Sequence, residues 1–176
     1  MEEERKEEIL EKLDNASNEN EYVTKWDDKG IPTSKKKSEI EKGKKSRASG
    51  LSFEARVRAD LEEKGWVVAK WPNQVDLNER KIIPAKRKFN PFSRVMTIGT
   101  GMPDFVCFKG NENGGYIVWG VEVKVNGSLD REEKEKCAFL LDNKIFSEVV
   151  IARKKKTGRF IEVEYVFFRE KYLKEK

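Results

Sequence analysis

Two carboxylates and one lysine lie where a predicted β-hairpin would bring them together. Asp104 begins the first strand of the hairpin, and Glu122 and Lys124 lie on its returning strand. A turn centred on Asn113 pairs Asp104 with Glu122, and the alternation of side chains along a strand puts Lys124 on the same face. Opposed Cβ atoms in such a pair are about 4.5–5.5 Å apart. The sequence therefore predicts two carboxylates in contact with an ammonium group beside them.

This arrangement has the chemistry of a cation site, because opposed carboxylates repel unless a positive charge neutralises them. Mg²⁺ fits, since it prefers oxygen ligands and keeps several waters, and Mn²⁺ is expected to substitute for it. The predicted ligands are Asp104, Glu122 and the backbone carbonyl of Val123. The metal would polarise a phosphate and acidify a bound water, and Lys124 would orient that water or stabilise developing charge. The competing interpretation is an ordinary strand with alternating charges.

The elements that must position these residues are predicted to follow the order α, β, β, β, α, β, β. Phe53, Val57 and Leu61 recur at every fourth position and predict an amphipathic helix. A second helix is predicted to open with a capping box formed by Asp130 and Glu133. This second helix is predicted at residues 130–143. The strands are predicted at residues 66–71, 104–109, 116–125, 148–152 and 160–168.

Basic residues concentrate in segments outside these elements. Residues 1–49 are predicted to form a charged flexible arm with a short helix at 2–14, and residues 50–170 the folded domain. Residues 73–101 are predicted to be an irregular basic loop with interleaved aromatics. A solvated linker and a variable insertion are the alternatives for these two segments. The predicted nucleic-acid contacts in them are Lys35, Lys36, Lys37, Lys86, Arg87, Lys88 and Arg94.

A further basic run, residues 153–156, lies beside a predicted turn. Most charge runs are solvated, and solvation is the favoured interpretation here, with phosphate contact as the alternative.

Composition narrows the possible chemistry. The 176 residues carry a net charge of +5 and include no histidine, which excludes Ser-His-Asp hydrolysis, Cys-His proteolysis and histidine-ligated metals in this chain. Cys107 and Cys137 have neither disulfide-scaffold nor zinc-site spacing, so a reducing cytoplasm is expected. No apolar run approaches the roughly 18 residues that a bilayer requires, so we expect a soluble protein without a membrane partner.

The residues Pro103-Asp104 and Glu122-Val123-Lys124 resemble the signature of the PD-(D/E)XK nuclease superfamily. The chain looks most like the archaeal Holliday-junction-resolvase-like and restriction-endonuclease-like branches, and the resemblance covers the predicted domain except its last strand. It implies an α/β fold with a restriction-endonuclease-like α-β-β-β-α-β core, in which helices flank a mixed central sheet.

The same resemblance implies roles for individual residues. It assigns metal binding to Asp104 and Glu122, a catalytic part to Lys124 and a supporting acidic role to Glu54. Relatives usually have a basic residue just after the first strand, a place that Lys70 fills here, so Lys70 is a further predicted nucleic-acid contact.

The function implied is Mg²⁺-dependent endonuclease cleavage of DNA phosphodiester bonds, with structure-specific cleavage of Holliday junctions or branched DNA as a refinement. The long segment 73–101 departs from a compact resolvase, and Glu132, Glu133 and Lys134 lie where many relatives have a glutamine. A homodimer is expected, because a duplex or junction has two strands to cut. The alternatives are an inactive nucleic-acid-binding module of the same fold and a structural protein with a fortuitous motif.

Overall fold

The computed structural model describes residues 2–90, 94–99 and 101–173. The chain folds as two compact units, Met1–Leu51 and Ser52–Lys176. In chain order the elements of the described residues are α1 (Glu2–Ser17), β1 (Tyr22–Trp26), β2 (Pro32–Lys36), α2 (Lys37–Glu63), β3 (Val67–Lys70), β4 (Asn73–Asp76), β5 (Lys81–Pro84), β6 (Arg87–Asn90), β7 (Val95–Ile98), β8 (Phe105–Gly110), β9 (Tyr116–Val123), α3 (Arg131–Asp142), β10 (Glu148–Thr157), β11 (Phe160–Phe167) and α4 (Phe168–Tyr172).

In the first unit, α1 packs against a hairpin made of β1 and β2. Asp27 closes the turn of this hairpin, because its Oδ1 accepts hydrogen bonds from the backbone N–H groups of Lys29 (2.9 Å) and Ile31 (2.8 Å). Gly30 supplies the positive φ of 73° that the turn requires. The hairpin leads directly into α2, which begins at Lys37 and is 27 residues long.

Regular structure in the first unit corrects the expectation that residues 1–49 form an arm whose only element is a short helix at 2–14. The predicted helix is present as α1, but the hairpin and the first turns of α2 were not predicted. Each strand of the hairpin has only five residues, too few for a convincing alternation. The beginning of α2 is rich in Lys and Glu, which favour a helix without producing an apolar stripe.

In the second unit five strands form one sheet in the order β11-β10-β9-β8-β3. The β9–β10 pair is parallel and has α3 as its crossover connection, and the other neighbours are antiparallel. These observations confirm the predicted α/β class with a mixed central sheet. The predicted hairpin register is also confirmed, since Phe105 pairs with Val121 and Cys107 with Trp119.

Helices cover both faces of the sheet. Val57 of α2 packs with Val121 on one face, and Leu140 of α3 packs with Ile151 on the other. Glu122 is the register partner of Ile151, so its side chain lies on the face that α3 covers. The predicted apolar stripe of α2 is confirmed as buried: Phe53, Val57 and Leu61.

In the segment 73–101 the described residues form two small antiparallel strand pairs, β4–β5 and β6–β7, which corrects the prediction of an irregular loop. Two backbone hydrogen bonds, here called the closure, join the two ends of the insertion where it leaves and rejoins the core. The N–H of Trp71 donates to the carbonyl of Asp104 (3.2 Å), and the N–H of Met102 donates to the carbonyl of Asn73 (2.9 Å). Strands of four residues give little periodicity, which is why sequence alone did not reveal them.

The closure has no room for a side chain at Gly101. A Cβ built there would lie 1.8 Å from the carbonyl oxygen of Trp71 and under 3 Å from the backbone of Asn73. We expect Gly101→Ala to lower the free energy of unfolding by about 3 kcal/mol, the upper end of the usual overpacking range, because backbone atoms must move. Thermal or chemical denaturation measures this change. Gly110→Ala is the matched control, since a Cβ there meets nothing within 4 Å. Equal stability of both variants and the wild type would contradict the tight closure.

Candidate metal centre

The centre lies where β8 begins and β9 ends. Asp104 immediately precedes β8, Glu122 is in β9 and Lys124 follows it. Continuing the observed register by one residue places Asp104 beside the end of β9, and its Oδ2 accepts a hydrogen bond from the N–H of Val123 at 2.9 Å. The structure thus brings together the three residues on which the predicted site depends.

Glu122 is a buried carboxylate with incomplete hydrogen bonding. Its side chain is 8% exposed, and its Oε1 lies 3.1 Å from Nζ of Lys124. Among the residues that the structure describes, no hydrogen-bond partner reaches its buried Oε2. A buried oxygen without a donor is costly, so this atom is a candidate ligand for a cation.

Lys124 is held from two sides. Its Nζ contacts Oε1 of Glu122 and donates a short hydrogen bond to Oε1 of Glu133. The other oxygen of Glu133, Oε2, accepts from the N–H of Asp130 at 2.9 Å, and Asp130 caps α3 in return by accepting from the N–H of Glu133 at 2.8 Å. The capping box predicted from sequence is confirmed. The hydrogen bond by which Glu133 also holds Lys124 was not predicted, although the sequence shows a glutamate at this position of the helix.

Glu54 of α2 also faces the centre, and Lys70 at the end of β3 neutralises it. Nζ of Lys70 lies 2.5 Å from Oε2 of Glu54 and 4.4 Å from the ring centroid of Phe105. Lys70 thus forms an ion pair with the predicted accessory carboxylate in this structure, and its contact with nucleic acid stays a prediction.

A cleft of about 450 Å³ opens over the centre. Acidic side chains make up half of its lining and lysines contribute only two, so the cleft carries a negative potential that favours a cation. The lining residues are Glu54, Gln74, Gly101, Met102, Asp104, Glu122, Val123, Lys124, Asp130, Glu132, Glu133 and Lys136.

The pKa values of the centre reflect this crowding. Burial raises the pKa of Asp104, the hydrogen bond from Val123 opposes that rise, and the charge of Glu54 adds to it. Burial, followed by the charge of Asp104, raises the pKa of Glu122 to about 8. Burial alone would lower the pKa of Lys124, but its carboxylate partners outweigh that effect and raise it, so Lys124 is a cation at neutral pH.

The donor set suits a hard divalent cation. In the described part of the chain, no group of three or more His, Cys, Asp or Glu side chains is arranged to hold a metal ion by itself. Two carboxylates with waters and a substrate oxygen are nonetheless an ordinary shell for Mg²⁺. The unpartnered Oε2 of Glu122 and the adjacent carboxylate of Asp104 would hold the ion. Val123 lines the same cleft, and ligation through its carbonyl stays a prediction.

The remaining predicted nucleic-acid contacts lie away from the centre in the chain. Lys86 and Arg87 are exposed at the start of the β6–β7 hairpin, and Arg94 is exposed at its turn with a positive φ of 51°. The side chain of Lys88 lies outside the described residues. Lys35, Lys36 and Lys37 belong to the first unit, at the end of β2 and the start of α2. Their contacts with nucleic acid stay predictions.

Comparison of the chain with protein-family models, with curated proteins and with solved structures finds no match. Within the described ranges, no helix is both long enough and apolar enough to cross a bilayer.

The raised pKa of Glu122 predicts a specific pH dependence of stability in the presence of a chelator. The folded-state pKa of about 8 exceeds the ordinary value of 4.5, so the unfolded chain ionises first and stability falls as pH rises through this window. The loss approaches about 1.4 kcal/mol per pH unit for one proton. Glu122→Gln should flatten this fall, as denaturant unfolding at a series of pH values would show. Glu112→Gln, an exposed change in the distant turn of the hairpin, is the control. Parallel curves for wild type and Glu122→Gln would contradict the assignment.

Proposed function

We propose that this chain is a Mg²⁺-dependent endonuclease of the PD-(D/E)XK type that hydrolyses phosphodiester bonds in DNA. The observation that carries the proposal is the buried, unpartnered Oε2 of Glu122 beside Asp104, with the ammonium of Lys124 3.1 Å from the other oxygen of Glu122. Two carboxylates and a cationic lysine in one cleft are the groups that phosphodiester hydrolysis needs when no histidine is present.

The order of elements supports the same proposal. After removal of the two inserted hairpins, α2, β3, β8, β9, α3 and β10 follow the α-β-β-β-α-β order of a restriction-endonuclease-like core. The strands β3, β8, β9 and β10 are also successive neighbours in the sheet. The motif residues lie at the β8–β9 step, where such a core carries its active site.

The residues divide the chemistry among themselves. Asp104 and Glu122 would hold the cation, with Glu54 adding negative charge beside Asp104. A bound divalent cation polarises the scissile phosphate and lowers the pKa of a coordinated water. Lys124 has a raised pKa and stays protonated, so it stabilises negative charge that develops on the phosphate rather than accepting a proton. Glu133 fixes the direction of the Lys124 side chain.

Substitution of the metal ligands tests the proposal directly. Asp104→Asn and Glu122→Gln should each lower the rate of Mg²⁺-dependent cleavage of labelled DNA by at least about 100-fold, because each removes a charge that the centre needs. Glu112→Gln, with the same change of charge in an exposed turn, should cleave like the wild type. The substrates are linear duplex, single-stranded, forked and four-way-junction DNAs, each with Mg²⁺, Mn²⁺ or chelator.

Several outcomes decide against the proposal. Cleavage that survives both substitutions or the chelator would mean that another site or a contaminant is responsible. DNA binding by the wild type without cleavage of any substrate would favour the inactive binding module instead. Homodimerisation stays a prediction that sedimentation can test separately.

The role of Glu133 can be separated from its capping role. Glu133→Gln retains an acceptor for the N–H of Asp130 but removes the charge that holds Lys124. We expect kcat to fall about 10-fold to 100-fold with little change in KM, and the alkaline limb of the pH–rate profile to move to lower pH, since the pKa of Lys124 falls. Asp130→Ala, which removes a cap but no partner of Lys124, is the comparison. An unchanged pH profile in Glu133→Gln would show that Glu133 only caps the helix.

A further inference from the structure

The hairpin formed by β10 and β11 extends well past its neighbour in the sheet. The register between β9 and β10 ends with Val123 beside Ala152, and the N–H of Lys154 still donates to the carbonyl of Val125 at 3.4 Å, whereas β10 continues to Thr157. Residues 155–157, which lie beyond this last bond, span about 10 Å at the usual strand rise. β9 ends at Glu122 and Val123, so the extension projects from the same end of the sheet as the metal centre.

The end of this extension, residues 155–161, is here called the ribbon tip. It carries three basic residues, and the carboxylate of the adjoining Glu162 accepts a hydrogen bond from the hydroxyl of Thr157 at 3.1 Å. Lys155 lies 3.5 Å from Glu164. Lys156 and Arg159 have no ion-pair or hydrogen-bond partner of their side chains among the described residues. Two cations are therefore available to an external partner at the end of a narrow strand pair.

An apolar ring lies among these charges. Phe160 is 76% exposed and is followed by Ile161 at 45%. Phe160 pairs with Thr157 across the ribbon, and in the described part of the chain no aromatic ring packs on its ring. An exposed aromatic between cations combines the two contacts that bind a single nucleic-acid strand, namely ring stacking on a base and neutralisation of phosphates.

Two contacts hold the β10–β11 hairpin in place near the ribbon tip. Nη1 of Arg56 in α2 donates to the carbonyl of Ile161 at 2.9 Å. At the base of the extension, Nε of Arg153 lies 2.5 Å from Oε2 of Glu164. A tip that is held in place loses less conformational entropy when it binds, which favours a binding element over a passive solvated turn.

The cleft itself cannot supply the attraction for a polyanion. Half of its lining residues are acidic, so DNA must be held by positive charge elsewhere. The ribbon tip meets this need, because it is positive and lies at the same end of the sheet.

We infer that the ribbon tip binds the DNA substrate next to the cleaved bond, with Lys156 and Arg159 on phosphates and Phe160 stacked on an unpaired base. This inference rests on the proposed function and adds to it the surface that would engage an unpaired strand of the substrate. Bases inside a duplex are already stacked on both sides, whereas a base at a fork, flap or junction has a free face for a single aromatic ring. The structure therefore points to branched DNA over blunt duplex.

Equilibrium binding of labelled DNA, followed by fluorescence anisotropy with chelator present, tests the inference independently of cleavage. Phe160→Ala should weaken binding to a forked DNA with single-stranded tails by about 5-fold to 100-fold, the effect of losing one aromatic–base stack, and should change binding to blunt duplex little. The control is Tyr116→Ala, which removes a ring of similar exposure (71%) at the opposite end of β9.

The charge contribution has its own readout. Log affinity falls as log salt concentration rises. A Lys156→Gln, Arg159→Gln double variant should make this negative slope shallower by about 1.5, as expected for two lost phosphate contacts. Lys144→Gln, an exposed change after the C-terminal end of α3, should leave the slope unchanged. Melting temperatures equal to that of the wild type would show that the exposed substitutions leave the fold intact.

The outcomes separate this inference from the proposed function. Cleavage that depends on Asp104 together with unchanged fork binding in Phe160→Ala would overturn the ribbon inference alone. Loss of fork binding in Phe160→Ala together with no cleavage by the wild type would support the ribbon inference and overturn the endonuclease proposal. Absence of DNA binding by the wild type, or self-association that disappears in Phe160→Ala, would overturn the ribbon inference in favour of another partner.

Discussion

Burial of the Glu122 carboxylate beside that of Asp104 is the constraint on which the rest of the second unit depends. Two carboxylates in such a place repel each other and lose hydration, and the chain does not offset that cost completely, since Oε2 of Glu122 has no partner among the described residues. The surrounding structure must therefore hold them together. The β8–β9 register places them side by side, α3 covers Glu122, and the closure at Gly101 fixes the segment that leads to Asp104.

Positive charge is distributed so that it does not cancel the negative cleft. Lys124 lies close to Glu122, but it also forms an ion pair with Glu133. Its charge therefore neutralises the two proposed ligands only partly. Lys70 is similarly directed to Glu54. Because each nearby lysine already has its own carboxylate partner, these lysines do not neutralise the acidic groups that would hold the proposed divalent cation.

The sequence predicts the parts of this arrangement that depend on local rules. The hairpin register follows from the position of the turn, the capping box from the spacing of Asp130 and Glu133, and the buried side of α2 from its fourfold spacing. The first unit and the inserted hairpins were missed because their strands are short and polar. The pairs Lys124–Glu133 and Lys70–Glu54 could not be predicted either, since they join residues on different elements and depend on how those elements pack.

Chemistry and recognition are separable in such a fold. The proposed ligands lie on two adjacent strands whose pairing is fixed by the core, and a displacement of either strand would disrupt both the core and the centre. The inserted segment, in contrast, leaves and rejoins the core at two backbone hydrogen bonds, and its ends supply Gln74 and Gly101 to the lining of the cleft. The extension of β10 beyond β9 is paired on that side only as far as Lys154, whose N–H donates to the carbonyl of Val125. The parts of both segments that lie beyond these contacts can therefore change in length and sequence without moving Asp104 or Glu122, which would let substrate preference vary while packing maintains the proposed metal centre.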